Sequence, residues 1–150
     1  MGSMLRTADG AGIHHMHLCG ITPTPNNPKL AKTALGAERE VDWTYHEDGL
    51  AASISLRRKG LRLWALEGGP RSESLFEATG DFTDPPVVLV VGSEVSGVDP
   101  AIIEQCERVV CLPMQGVKTT LNAAVAFGIA AYVLRFGLPS RLLKKSLNPK

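Results

Sequence analysis

Five residues, Val87-Val88-Leu89-Val90-Val91, constrain this chain more than any other stretch. They are apolar without alternation. A strand with one face in water alternates apolar and polar side chains, so an unbroken run reads as a strand covered on both faces, as in a parallel sheet. Parallel neighbours cannot be joined by a tight hairpin and need crossovers, usually helical.

The rest of the chain supplies those crossovers. "LRTADGAG" reads as the end of a helix closed by Gly10 or Gly12. "IHHMHLCG" reads as a strand with Ile13, His15, His17 and Cys19 on one face and His14, Met16 and Leu18 on the other. A proline-rich loop follows, then a short helix over "PKLAKTALGAE" with Pro28 in its first turn. "EVDWTYH" is a strand with Val41, Trp43 and Tyr45 alternating, and "EDGLAASISLRRKG" a helix ending at Gly60. "LRLWALEGG" is a strand, and "PRSESLFEATG" a loop with a short helix. After the apolar run, "DPAIIEQC" is a helix with Asp99 as N-cap and Pro100 at its first position. "ERVVCLPM" is the last strand, and a helix runs from about Thr119 to Arg135. This βαβα alternation predicts an α/β fold: a mostly parallel sheet with helices on both faces. No internal repeat or low-complexity tract interrupts it.

Composition excludes little. With 150 residues, 44% hydrophobic and 21% charged, the chain suits one soluble domain. A net charge of +1 neither demands nor rules out nucleic acid, because a basic patch can hide in a balanced total. Cys19, Cys106 and Cys111 are an odd count without CxxC spacing and read as thiols in a reducing compartment. The N-terminus lacks the apolar core of a signal peptide, and the longest apolar run, Ala123 to Leu134, falls short of the ~20 residues that span a bilayer. No membrane partner is expected, and the cytoplasm is the default location.

Ligands of parallel sheets bind beyond the carboxyl ends of strands. Two strands here end in glycine-bearing turns, "VVGSEVSGVDP" and "VVCLPMQGVKTTLN", which should share one edge. In the first, Gly92 and Gly97 allow close approach of a ligand to the backbone, with Glu94 between them. Neither the dinucleotide GxGxxG nor the P-loop pattern is present. In the second, Thr119 or Thr120 is placed to cap the long helix. That leaves Asn122 without an obvious structural role. Its amide is either idle or meets a ligand beside the free N–H groups of the helix start.

Together these segments resemble the paired C-terminal motifs of the SpoU/TrmH branch of the SPOUT methyltransferases. The first, Gly92-Ser93-Glu94-Val95-Ser96-Gly97, is similar to G-[NS]-E-x-x-G. The second, Leu112-Pro113-Met114-Gln115-Gly116-Val117-Lys118-Thr119-Thr120-Leu121-Asn122, is similar to [IL]-P-M-x-G-x-x-[ST]-x-N, with Thr120 where serine is usual before Leu-Asn. Gly2, Arg6 and Thr7 sit at the spacing of the family's opening N-x-G-x-x-x-R-T motif, and Lys32 to Glu38 look like its K-T-[AS]-L-G-A segment.

The resemblance implies a single SPOUT methyltransferase domain over residues 1–150, with a C-terminal deep trefoil knot and no separate RNA-binding domain. The opening motif's Asn would fall one place before Met1, so the domain is expected to lack its first strand. The implied reaction is methyl transfer from S-adenosyl-L-methionine to a ribose 2′-hydroxyl of tRNA or rRNA. The implied cofactor wall is Gly92, Glu94, Gly97, Leu112, Met114, Leu121 and Ala124, with Arg6, Thr120 and Asn122 at the reaction. Guanidinium groups stay protonated in proteins, so Arg6 is better suited to gripping a phosphate and stabilising a developing alkoxide than to acting as a base. A homodimer through the knot region is implied, with Tyr132, Leu134 and Phe136 as contacts. Arg39 and Lys118 are the expected RNA contacts. The runs Arg57-Arg58-Lys59 and Lys144, Lys145, Lys150 read as solvated faces. His14, His15 and His17 offer only two ligands on one strand face, so no metal is expected. Trp43 and Tyr45 read as core rather than as base-stacking rings. The rival readings are an inactive or weak RNA-binding member of the family, and a nucleotide-binding α/β module without methyl chemistry.

Overall fold

The computed structural model describes residues 1–78 and 85–137. Lys144, Lys145 and Lys150 lie outside the described residues. Among the described residues five α-helices, α1 (Gly2–Gly10), α2 (Pro28–Ala34), α3 (Gly49–Arg58), α4 (Pro100–Ile103) and α5 (Ala123–Phe136), and a 3-10 turn at Ala37–Arg39 alternate with six strands. The strands are β1 (His15–Cys19), β2 (Asp42–His46), β3 (Arg62–Leu66), β4 (Glu73–Ser74), β5 (Val87–Val91) and β6 (Arg108–Cys111). Among the described residues every paired strand is parallel to its neighbour.

The local chemistry explains most boundaries. Asp48 caps α3 by accepting from the N–H groups of Leu50 and Ala51, and Gly60, at φ +86°, turns the chain out beyond it. Asp99 caps α4 by accepting from Ala101, with Pro100 in the first turn as the sequence predicts. Arg57 and Arg58 sit in the last turn of α3, where the helix dipole favours cations.

The strands form two sheets where one was expected. β1 pairs with β2, and a second sheet has the order β4-β6-β3-β5. This changes the status of β5. Its five apolar residues are all only half-buried, because β5 pairs with β3 on one side and with no described strand on the other. The central strand is β3 instead, where Leu63, Trp64 and Ala65 are buried. Among the described residues β1 also has one unpaired edge, and Ile13 and Met16 share a hydrophobic cluster with Leu89 and Val91 of β5. That cluster is built from Leu5, Ala8 and Ala11 of the α1 region, Leu30 and Ala34 of α2, and Phe127 and Ala131 of α5.

The expected helix over "PRSESLFEATG" is absent from the described part of that segment. Glu73 and Ser74 pair with Val110 and Cys111 instead, and Leu75 donates its N–H to the Cys111 carbonyl at 2.8 Å while burying its side chain. Burying a leucine gains about 1.5–3 kcal/mol, which outweighs a weak helical preference.

α1 and α2 meet closely. Gly2 is buried, and a Cβ there would lie 1.9 Å from the Thr33 hydroxyl oxygen. The two N-terminal motif segments therefore touch, and only glycine allows it.

Candidate functional site

Parallel pairing brings the chain segments after β3, β5 and β6 to one edge. They border a cavity of about 530 Å³, within the usual range for small-molecule sites. Leu66 ends β3 and Glu67 to Gly69 follow it, Gly92 to Gly97 follow β5, and Leu112 and Met114 follow β6. Thr119, Thr120 and Leu121 close it, with Ala123 and Ala126 from α5. Among the described residues Glu67 and Glu94 are the charged side chains in this lining, and no lysine or arginine of theirs belongs to it.

The segment after β5 is a tight loop. Ser93 and Gly97 exchange backbone hydrogen bonds at 3.1 and 2.9 Å, and the Ser93 hydroxyl oxygen accepts from the Ser96 N–H at 3.0 Å. Gly97 has φ +68°, a region that disfavours side chains. A Cβ on Gly92 would lie 2.0 Å from the Gly97 carbonyl carbon, so the loop closes only over a glycine.

Asn122 is the N-cap of α5. Its Oδ1 accepts from the N–H groups of Ala124 at 3.0 Å and Val125 at 3.4 Å. Its Nδ2 donates to the Glu94 carboxylate. This corrects the expected cap at Thr119 or Thr120: those residues precede the helix, which begins at Ala123. A carboxamide offers an acceptor and a donor at once, so it can cap the helix and tie the neighbouring loop, which a threonine hydroxyl at the same place could not do as well.

Of the residues singled out by sequence, Gly92, Glu94, Gly97, Leu112, Met114, Thr120 and Leu121 line the cavity, and Asn122 bonds to one of them. Ala124 does not line it: one helical step changes the face, and Ala123 and Ala126 take its place. Arg6 is exposed on α1 and is not part of this lining. α1 packs along α5, with Thr7 under Gly128 and Gly10 under Tyr132. Arg39 and Lys118 are exposed, and Arg39 approaches Glu38 at 3.9 Å.

Sequence reasoning missed Glu67. Its carboxylate accepts from the Val98 N–H at 2.8 Å and from the Gly68 N–H at 3.2 Å. The signal was available, since "LEGG" ends a strand parallel to the two whose ends were read as ligand-facing.

The other constellations resolve differently. On β1 and β2, His15 bonds Thr44 at 2.8 Å and His17 bonds His46 at 3.0 Å. Among the described residues no three His, Cys, Asp or Glu side chains form a group that could hold a metal ion. Burial pushes the His17 imidazole below its ordinary value, and the neighbouring His15, His46 and Lys59 push it further. Tyr45 is not core: the ring is exposed, and its hydroxyl donates to the Gly20 carbonyl at 2.9 Å. Cys106 is partly buried, and this raises its thiol to about 11. No helix among the described residues is long and apolar enough to cross a membrane.

Along α5, Val125, Ile129, Tyr132 and Phe136 form an exposed apolar stripe at helical spacing. Leu134, expected among the dimer contacts, instead packs inward against the cluster around Trp64 and Val110.

Comparison with known proteins adds an independent line. The sequence pattern of the SpoU rRNA Methylase family matches residues 1–132. The tRNA (guanosine(18)-2′-O)-methyltransferase of Aquifex aeolicus (strain VF5) is 46% identical over 137 residues, covering 87% of this chain and 60% of that protein. An AdoMet-bound rRNA methyltransferase from Sinorhizobium meliloti superposes with a TM-score of 0.82 at 25% identity, over 93% of this chain and 52% of that one. A structure described as giving insight into 2-OH methylation of C/U34 on tRNA superposes with a TM-score of 0.75 at 31% identity, over 91% and 86%. The chain spans about half the length of the curated relatives it matches, from 51% to 60%.

Proposed function

The chain belongs to the SpoU rRNA methylase family, and from that premise we propose that it transfers the methyl group of S-adenosyl-L-methionine to a ribose 2′-hydroxyl of tRNA or rRNA. What carries the reading is the cavity in which three strand ends meet, with Asn122 tying the α5 start to the Gly92–Gly97 loop. The relatives' names point to the same chemistry.

The lining suits this donor. Among the described residues its charged side chains are two carboxylates, Glu67, which accepts from the Val98 and Gly68 N–H groups, and Glu94. Glu94 favours the positive charge that the donor carries on sulfur and nitrogen. When bound, the donor supplies an electrophilic methyl group, so the protein's contribution is mostly alignment. Gly92, Glu94 and Gly97 form one wall. Leu112 and Met114 offer backbone groups and apolar surface to the adenine, and Leu121 covers it. Thr120 faces the reacting hydroxyl, while Asn122 acts at one remove by fixing Glu94. On this reading the segment from β6 through α5 is threaded as the family's deep trefoil knot.

Arg6 grips the phosphate beside the target ribose and stabilises the developing alkoxide. It does so at the boundary with a second copy. Support comes from the α5 stripe, which leaves an apolar face open on the helix that α1 packs against. Val125, Ile129, Tyr132 and Phe136 are the proposed homodimer contacts, and Arg39 and Lys118 the RNA contacts. An RNA-modifying role suits the cytoplasm.

The test is methyl transfer from labelled S-adenosyl-L-methionine to tRNA and rRNA, with the product mapped for 2′-O-methylation. Arg6→Ala is expected to lower transfer by about 10²-fold. Donor binding without any transfer would favour the RNA-binding rival. Absence of donor binding would defeat the proposal.

A further inference from the structure

We infer that Glu67 is a positioning residue for the donor-facing wall, acting through the backbone of Gly97 and Val98 rather than through its charge. The inference rests on the proposed function, since it names a residue that the reaction would need at that site.

Glu67 stands at the meeting point of all three strand ends. Its own N–H donates to the Val110 carbonyl at 3.0 Å, holding the end of β3 against β6. Its side chain reaches the other way, to the Val98 N–H at the exit of the Gly92–Gly97 loop. That loop carries Glu94, which Asn122 holds at the start of α5. A continuous set of bonds therefore runs from β6 through Glu67 to the loop and on to the helix cap. Cutting it at Glu67 leaves the loop closed on itself and joined to β5, but its exit at Val98 is no longer tied to the end of β3.

The space around Glu67 supports the same role. A Cβ built on Gly97 would lie 2.3 Å from Glu67 Oε2. The carboxylate thus occupies the place a side chain at position 97 would take and would have to leave its present position to admit one. The φ of +68° excludes most residues at Gly97 already. Glu67 supplies a second, separate reason for the glycine.

Reach and charge can be separated. S-adenosylhomocysteine lacks the sulfonium and keeps only the amino-acid ammonium, so its affinity reports the wall without the attraction of a carboxylate for a cationic sulfur. Calorimetric titration with S-adenosylhomocysteine is expected to give wild type and Glu67→Gln within about threefold, because glutamine keeps an acceptor at the same reach. Glu67→Asp keeps the charge but is one methylene short, and it should bind about tenfold more weakly, as should Glu67→Ala, a loss within the range of one ordinary hydrogen bond. In a double-mutant cycle, Gly97→Ala should cost less affinity in the Glu67→Ala background than alone. In turnover, Glu67→Asp should raise KM for the donor and leave KM for RNA unchanged.

Equal binding by wild type, Glu67→Asp and Glu67→Ala would overturn the inference and leave the proposed function standing. So would weak binding by Glu67→Gln alone, since that would make charge the working property. If Glu67→Ala does not fold, the comparison of the aspartate and glutamine variants decides. A wild-type chain that binds no S-adenosylhomocysteine defeats the proposed function itself, and this inference with it.

Discussion

Asn122 holds Glu94 with the donor half of its amide and its own helix with the acceptor half. One side chain thereby joins the C-terminal end of β5 to the start of α5, two places 28 residues apart in sequence. The cavity has its shape because of such cross-ties.

Asn122→Ala should lower stability by about 1 kcal/mol, the usual cost of a lost N-cap, and should also free Glu94. Asn122→Asp separates the two roles. Aspartate caps a helix as well as asparagine, but it cannot donate to Glu94 and sets two carboxylates side by side. Its melting temperature should fall less than that of the alanine variant, while methyl transfer should fall at least as far. Full activity in Asn122→Asp would show that the bond to Glu94 has no part in function.

The two loop glycines should fail in different degrees. Gly97→Ala forces an alanine to φ +68° and pushes on a movable carboxylate, a cost of about 1–2 kcal/mol for the backbone alone. Gly92→Ala meets backbone atoms of Gly97 and Val98, within 2.3 Å, that cannot rotate away. Chemical denaturation should place Gly92→Ala below Gly97→Ala in stability.

The exposed α5 stripe predicts self-association. Ile129 is 38% exposed, so Ile129→Glu gives up part of a leucine-sized burial and should lower the stability of the isolated chain by only about 1–2 kcal/mol. If a second copy covers the stripe, light scattering should show wild type as a dimer and Ile129→Glu as a monomer. The inward-facing Leu134 makes the contrast: Leu134→Ala should destabilise the fold rather than alter the oligomeric state.

Acid should weaken the β1–β2 region. The folded His17 is held below its ordinary value of 6.5, first by burial and then by His15, His46 and Lys59. The unfolded chain therefore takes up the proton more readily, and stability falls as pH drops below about 6.5 until the folded imidazole also protonates. Thermal melts at pH 7.5 and 5.5 should show this decline, and His17→Gln should flatten it.

Local features were open to reading from the chain itself. Asp48 and Asp99 cap their helices, Pro100 opens α4, and Gly60 follows α3, because caps and turns are settled by residues within a few positions of one another. The positions of Gly92, Glu94 and Gly97 at a strand end were legible for the same reason, as were those of Leu112 and Met114. Errors came where two local solutions were nearly equal. Thr119, Thr120 and Asn122 can all cap a helix, and the choice fell to the one that also reaches Glu94. Residues 73–75 could have joined a short helix, and they were drawn into strand pairing by the edge of β6.

Sequence alone determined the order of helices and strands outside residues 73–75, their parallel sense and the two glycine turns. All of these follow from periodicity and backbone sterics over spans of about ten residues. Tertiary structure decided what lies between elements. It left β5 half-buried at a sheet edge, turned Leu134 inward and Ile129 outward, and brought Glu67 against Val98. No local pattern encodes those outcomes, because each depends on which distant segment occupies the adjoining space.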